Sequence, residues 1–220
     1  MRAALPGMTN ATAIVHAAPP LGADFTQYTV ELDNDGSFYL GYAQPESERF
    51  LCVLEGSVTF GDTTLERHHY AWFPPGPGVD IHCAGSARVA VIEKKYAALG
   101  GAIPHALTGN ALALVPKPLS GDDAVQVRTL LPEDLAFGCA VNTLTFQPGA
   151  TLSGVEVHVM EHGLLMLEGE GIYRLGESWY PVKAGDFIWM APYCPQWFGA
   201  LGKVPAKYLI YKDWNRHPLR

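Results

Sequence analysis

Basic residues, long apolar runs and closely spaced cysteines are all scarce in this chain, and each shortage removes a class of function. Lys and Arg number 15 against 22 Asp and Glu, a net charge of −7, so the positive footprint that grips a phosphate backbone is missing and nucleic acid is not an expected partner. No stretch approaches the roughly 18 apolar residues of a membrane span. The first residues, Met1-Arg2-Ala3-Ala4-Leu5-Pro6-Gly7, are broken by proline and glycine before an apolar run of signal-peptide length develops. The expected setting is therefore the cytoplasm, with no membrane partner. Cys52, Cys83, Cys139 and Cys194 show no CxxC spacing, which fits plain buried thiols in a reducing compartment and argues against a cysteine zinc site.

What the chain has in quantity is turn chemistry. Its 23 glycines and 17 prolines punctuate short runs rich in Val, Ile, Leu, Tyr, Phe and Trp, the pattern of many short strands joined by tight turns. The fold class read from this is all-β. Leu51 to Leu54, Ser57 to Phe60 and Thr63 to His69 read as strands joined by Glu55-Gly56 and Gly61-Asp62 turns. Tyr70 to Phe73 then runs into Pro74-Pro75-Gly76, and Val89 to Glu93 closes the block. The segment after Tyr96, with Pro104, Pro116, Pro118 and Gly121, reads as a connection with edge strands.

A second block repeats the first. Leu54-Glu55-Gly56 returns as Leu167-Glu168-Gly169, Trp72-Phe73-Pro74-Pro75 as Trp189-Met190-Ala191-Pro192, and Val91-Ile92-Glu93-Lys94 as Leu209-Ile210-Tyr211-Lys212. Two similar barrels in tandem are the expected architecture, residues 1–110 and 111–220, each long enough to bury a core. The copies differ where chemistry would need residues. At the separation of the Leu-Glu-Gly pair, Glu156 falls opposite Ala43, His158 opposite Pro45 and His162 opposite Arg49. His68, His69 and His82 remain in the first copy without a carboxylate and imidazole at i and i+2, so the first barrel is expected to be structural and the second to hold the active site.

That second copy carries Glu156-Val157-His158-Val159-Met160-Glu161-His162 and, forty residues after the glutamate, Gln196. On a strand, residues i and i+2 share a face and sit about 7 Å apart. Glu156 and His158 should project together, with Val155, Val157 and Val159 packing the opposite face. A carboxylate and two imidazoles in a barrel lumen are costly unless a cation or hydrogen bonds compensate. Glu156, His158, His162 and Gln196 therefore read as one metal site, the plain alternative being a solvated polar strand face. One carboxylate, two neutral imidazoles and an amide lean toward manganese or iron(II) over zinc. If the ion is six-coordinate, its open positions suit a small anionic substrate, with the metal as Lewis acid and template. On the last strand Tyr208, Ile210 and Lys212 alternate onto one face; Lys212 is either a substrate anchor or a solvated lysine near a strand end. Tyr173 either orients the substrate through its hydroxyl or packs the barrel, and Trp189, Trp197 and Phe198 either shape the pocket or fill the core.

Gly149 to Gly169 resembles the first motif of the cupins, with glutamate in place of the first histidine and histidine in place of the usual glutamate. Gly185 to Gln196 resembles the second motif, with Ala191 for proline, Tyr193 for glycine and Gln196 for the last histidine. The order Glu-x-His-x3-His followed by glutamine resembles the (S)-ureidoglycine aminohydrolases, bicupin enzymes of purine (allantoin) breakdown. Met160-Glu161-His162-Gly163, Gly185-Asp186-Phe187, Cys194-Pro195-Gln196 and Tyr211-Lys212-Asp213 carry that resemblance. It implies two tandem cupin (jelly-roll) barrels and manganese on Glu156, His158, His162 and Gln196. It further implies that Tyr173, Tyr208 and Lys212 line the substrate site, and that (S)-ureidoglycine is hydrolysed to (S)-ureidoglycolate and ammonia. A homo-oligomer is also expected. Glu156 and Lys212 both stay open as the catalytic residue that moves the proton. Two other readings stand beside this one: an iron-dependent cupin dioxygenase, and a non-catalytic bicupin that binds a small ligand.

Overall fold

Short apolar runs between glycine and proline turns fold almost entirely into antiparallel strands. The computed structural model describes residues 1–41, 45–99 and 101–216; Ala43, the sequence counterpart of Glu156, lies outside them. The chain divides into two units, Met1–Ala113 and Leu114–Arg220. No helix among the described residues is long and apolar enough to cross a membrane. All four cysteines are free thiols, three of them buried.

The N-terminal unit runs β1 (Arg2–Ala3), β2 (Thr9–Ala17), β3 (Phe25–Leu40), β4 (Ser47–Glu55), β5 (Ser57–Phe60), β6 (Thr63–Glu66), β7 (His69–Phe73), β8 (Val79–His82), β9 (Ala87–Lys95) and β10 (Leu107–Asn110). They form one sheet in the order β10-β7-β4-β9-β3-β8-β5-β6, with β2 on β3 and β1 on β2. Leu51 and Ala71 from one end of that order share a core with Val58 and Leu65 from the other, so the sheet curls on itself. The expected strand from Thr63 to His69 is broken at Arg67-His68, because His68 takes a left-handed backbone (φ 73°) that no strand continues through. His69 is spent on this corner: its Nδ1 accepts the Glu66 N–H at 2.9 Å and its Nε2 lies 3.1 Å from the Asn110 amide.

The C-terminal unit runs β11 (Lys117–Leu119), β12 (Asp122–Thr129), β13 (Ala140–Phe146), β14 (His162–Glu168), β15 (Glu170–Leu175), β16 (Ser178–Lys183), β17 (Phe187–Met190), β18 (Gln196–Ala200) and β19 (Ala206–Lys212). A six-stranded sheet, β11-β12-β13-β19-β14-β17, faces a three-stranded one, β16-β15-β18. Leu144, Leu164, Met166 and Ile210 from the first pack with Tyr173, Val182 and Phe198 from the second in one core. Pro118 sits on the edge strand β11, where its missing N–H breaks no ladder.

The ladders align the two copies residue by residue. Arg49 on β4 pairs with Glu93 and Phe73, while His162 on β14 pairs with Lys212 and Met190. Lys212 therefore corresponds to Glu93, not to Lys94 as the matched apolar runs suggested. Those runs are buried on both faces and carry no period-two mark, so the sequence admits a slip of one residue, which swaps the face of every side chain.

Both Leu-Glu-Gly turns rest on their glycines. Gly56 and Gly169 hold φ of 71° and 72°. An added Cβ would come within 2.2 Å of the Ser86 carbonyl oxygen in the first and 2.6 Å of the Pro205 carbonyl oxygen in the second. Gly61, at φ 50°, has open space around its missing Cβ. Gly169→Ala should lower unfolding stability by at least about 2 kcal/mol, against about 1 kcal/mol for Gly61→Ala, where backbone strain acts alone. Denaturant titration of the two variants measures the difference.

Candidate active site

The segment before β14 is not a regular strand. Glu156 makes an isolated bridge with Gln196, each residue's N–H donating to the other's carbonyl at 2.8 and 2.9 Å. This sets Glu156 beside Gln196, the first residue of β18. The His158 carbonyl accepts the Tyr193 N–H at 2.7 Å, and Tyr193, standing where the cupin motif has glycine, takes the left-handed conformation at φ 62°. The flanking valines do not pack as their alternation suggested: Val155 is 47% and Val157 56% exposed. The alternation is real, but the better covered side is the polar one, with His158 and Glu156 side chains 31% and 38% exposed, because the bridge to β18 brings Glu156 to the lumen and leaves Val155 and Val157 outside.

Glu156, His162, Tyr173, Gln196, Tyr208 and Lys212 surround one cavity of about 30 Å³, closed by Leu119, Leu144, Leu152 and Ile210. That volume holds an ion or a water. His158 stands beside it, its Nε2 3.1 Å from Glu156 Oε2 and its ring stacked on that of His162 at 4.9 Å. His162 is buried, with Nδ1 3.2 Å from the Met160 carbonyl. That contact puts the ring proton on Nδ1 and leaves the Nε2 lone pair free. Burial, reinforced by the charges of Lys212 and His158, holds the His162 pKa down to about 3, so the ring is neutral near pH 7. Among the described residues no three His, Cys, Asp or Glu side chains stand grouped as a ready metal-binding set; Glu156 and His158 bond each other instead.

The tyrosines and the lysine complete the wall. The Tyr173 hydroxyl donates to Gln196 Oε1 at 2.6 Å and lies 3.0 Å from Met190 Sδ. Burial raises the pKa of Tyr173 and Tyr208, and the Glu156 carboxylate adds to both shifts. Both hydroxyls stay protonated and can donate. Burial lowers the Lys212 pKa and Glu156 opposes the shift; the ammonium lies 5.9 Å over the Trp214 ring. Phe198 fills the core against Phe146 and Tyr173. Trp197 donates to the Leu152 carbonyl at 2.9 Å.

Glu161 was not singled out from sequence, although it is buried beside His162. Its Oε2 accepts the Trp189 indole N–H at 3.0 Å. The N-terminal unit has the same strut, Trp72 Nε1–H to Glu48 Oε2 at 3.1 Å. The repeat alone could have exposed it, since both residues recur near the separations of the repeated motifs. A tryptophan–glutamate bond present in both copies fits a scaffold role, while the Trp189 ring also lines a cavity with Tyr173, Tyr180 and Ile188.

Two curled antiparallel units, the second enclosing a small polar cavity at its motif residues, define a protein of the cupin class. The cupin domain family matches residues 142–211. Nearly the whole chain is similar to the (S)-ureidoglycine aminohydrolase of Arabidopsis thaliana, 40% identical over 222 residues that cover 98% of this chain and 73% of the relative. The (S)-ureidoglycine aminohydrolase of Escherichia coli K12 is 34% identical, over 96% of this chain and 84% of the relative. The crystal structure of protein Ylba from E. coli superposes with a TM-score of 0.85 at 31% identity, covering 98% of this chain and 88% of that one. The chain belongs to the (S)-ureidoglycine aminohydrolase family.

Tyr173→Phe removes the donor to Gln196 Oε1 and keeps the ring. It should cost about 1–2 kcal/mol of stability, whereas Tyr173→Ala, which also empties a core position, should cost about 3 kcal/mol or more. Thermal or denaturant unfolding of both variants checks the pair.

Proposed function

We propose that the chain hydrolyses (S)-ureidoglycine to (S)-ureidoglycolate and ammonia, a step of purine breakdown, in the C-terminal barrel, with the N-terminal barrel structural. The observation that carries the reading is the convergence of Glu156, His162, Gln196, Tyr173, Tyr208 and Lys212 on one cavity, in a chain of this family. In the first copy, Arg49 stands at the register of His162 and is fully buried, its guanidinium donating to the Gly76 carbonyl at 3.1 Å. A guanidinium cannot ligate a cation, which supports the structural role.

The donor set suits a divalent metal held by Glu156, His158, His162 and Gln196. The His162 lone pair is free, an amide oxygen and a carboxylate share the cavity, and the void has the volume of an ion. Two oxygen donors beside two imidazoles, with no thiolate, lean toward manganese or iron(II) over zinc. When bound, such an ion supplies a Lewis acid for the substrate carboxylate.

The residues of the chain do the rest. Lys212 supplies a positive charge for an anionic substrate, the Tyr173 and Tyr208 hydroxyls offer protons for hydrogen bonds, and Leu144, Leu152 and Ile210 keep bulk water out. In the reaction, the ureido nitrogen's lone pair displaces the amine as its carbon–nitrogen bond breaks. Water then adds to that carbon and gives up a proton, and the departing amine takes one up as ammonia. Glu156 and Lys212 both reach the cavity, and either is placed to hand over that proton.

The test is ammonia release from freshly generated (S)-ureidoglycine, corrected for spontaneous decay, with manganese and then with chelator. Release should be chelator-sensitive, give one enantiomer of ureidoglycolate and persist in anaerobic buffer, which an iron-dependent dioxygenase would not allow. His158→Ala should lose bound metal and at least about 100-fold in rate. Full activity in that variant, or under chelator, would remove the metal from the reaction.

A further inference from the structure

The cavity at the ligand cluster has room for an ion or a water, whereas ureidoglycine brings a carboxylate, an amine and a whole ureido group. A second cavity, of about 210 Å³, adjoins it, and the two share Leu119, Leu144 and Lys212 in their walls. With its carboxylate at the first cavity, a substrate that passes Lys212 has this chamber for its other end.

Among the described residues, one side-chain oxygen of the chamber wall is buried without a hydrogen-bond partner. On β13, Ala140, Asn142 and Leu144 pair with Lys212, Ile210 and Tyr208 of β19. Alternate residues share a face, and Leu144, Ile210, Tyr208 and Lys212 all line the first cavity. Asn142 therefore stands on the site's own face of the sheet, directly across from Ile210. It lines the chamber, and its Oδ1 is buried with no hydrogen-bond partner among the described residues. Asn215, in the same wall, differs: its amide donates to the carbonyls of Asp134 and Phe137 at 3.1 and 2.9 Å. A buried carbonyl without a donor costs stability and calls for a reason. Asparagine is also a poor choice for a strand interior.

We propose that Asn142 is a specificity-determining residue that receives the ureido group of the substrate in this chamber. A carboxamide presents one acceptor and an N–H₂ donor side by side, and a half-turn about its last bond exchanges them. A ureido group presents the complement, N–H donors beside a carbonyl oxygen. Asn142 Oδ1 then takes a ureido N–H, and its Nδ2 gives to the ureido oxygen. Lys212, common to both cavities, lies between this contact and the metal ligands. The inference rests on the hydrolase reading, because that reading supplies the ureido group.

Two inert probes isolate the contact. N-carbamoylglycine carries the carboxylate and the ureido group without the leaving amine; N-acetylglycine has the same shape with a methyl group in place of the terminal NH₂. Titration calorimetry on the manganese-loaded full chain should show N-carbamoylglycine binding about 10- to 100-fold tighter than N-acetylglycine. Asn142→Leu and the smaller Asn142→Ala should both abolish that preference, weakening N-carbamoylglycine more than N-acetylglycine, which loses only what Asn142 gives to the carbonyl and N–H the two probes share. Asn142→Leu should also unfold no earlier than the parent, since it removes an unbonded carbonyl. Discrimination retained in both variants, or absent from the parent, overturns the assignment. A parent that discriminates the probes yet releases no ammonia from ureidoglycine overturns the hydrolase reading and leaves the ureido contact standing.

Discussion

Two backbone hydrogen bonds between Glu156 and Gln196 are what the candidate site depends on. The stretch from Gly149 to His158 has little regular structure, yet it is stitched along β18 and the turn before it. Gly149 donates to Ala200, Ala200 to Ala150, Leu152 to Phe198, and Glu156 and Gln196 to each other, all at 2.8–2.9 Å; Tyr193 donates to His158 at 2.7 Å. This is a broken fourth strand on the three-stranded sheet. At about 1 kcal/mol net per bond, the stitching offsets part of the entropy of ordering a chain with no ladder on its other side. Because a carboxylate and an amide sit on the two halves of one bridge, their spacing is set by the backbone. The Tyr173 hydroxyl then orients the amide, and the Met160 carbonyl orients the His162 ring, so neither polar group must find its rotamer unaided.

The all-β class, the duplication and the convergence of Tyr208 and Lys212 with Glu156 and His162 were legible in turn residues and period-two spacing. How the valines would be covered was not. Alternation of valine with Glu156 and His158 declares two faces with the polar one toward the lumen, but the packing expected of the valines fails, because the bridge to β18 leaves Val155 and Val157 outside. The register between copies failed for a related reason, since Val91-Ile92 and Leu209-Ile210 are apolar on both faces. Asn142 drew no attention because Ala140 to Phe146 carries no motif, and Asn142, Thr143 and Thr145 are interspersed with its apolar residues without marking a site. The signal was present, as an asparagine inside such a run is out of place unless something needs it.

The paired tryptophan–glutamate struts separate what the fold needs from what the site needs. Trp72–Glu48 and Trp189–Glu161 occupy matching places in barrels that otherwise differ in polar content. An acidic residue next to His162 invites assignment as an acid or base. Its counterpart in a barrel without the ligand set shows that the position answers first to packing.

The same comparison supports placing the chemistry in the second barrel and not in the first. Where the first copy pairs Arg49 with Glu93 in register, the second pairs His162 with Lys212. Burial pushes the Glu93 carboxyl up in pKa, and Arg49 pulls it back. Opposite charges at this register offset one another within the first barrel. In the second copy the ring at this position is neutral, and the charge that favours the Lys212 ammonium is Glu156, on the segment bridged to β18 of the facing sheet. A divalent ion drawn by Glu156 would compete with Lys212 for that carboxylate and leave the lumen with net positive charge. The simplest group to restore balance is an anion from solution, and a carboxylate-bearing substrate enters as that missing counter-charge.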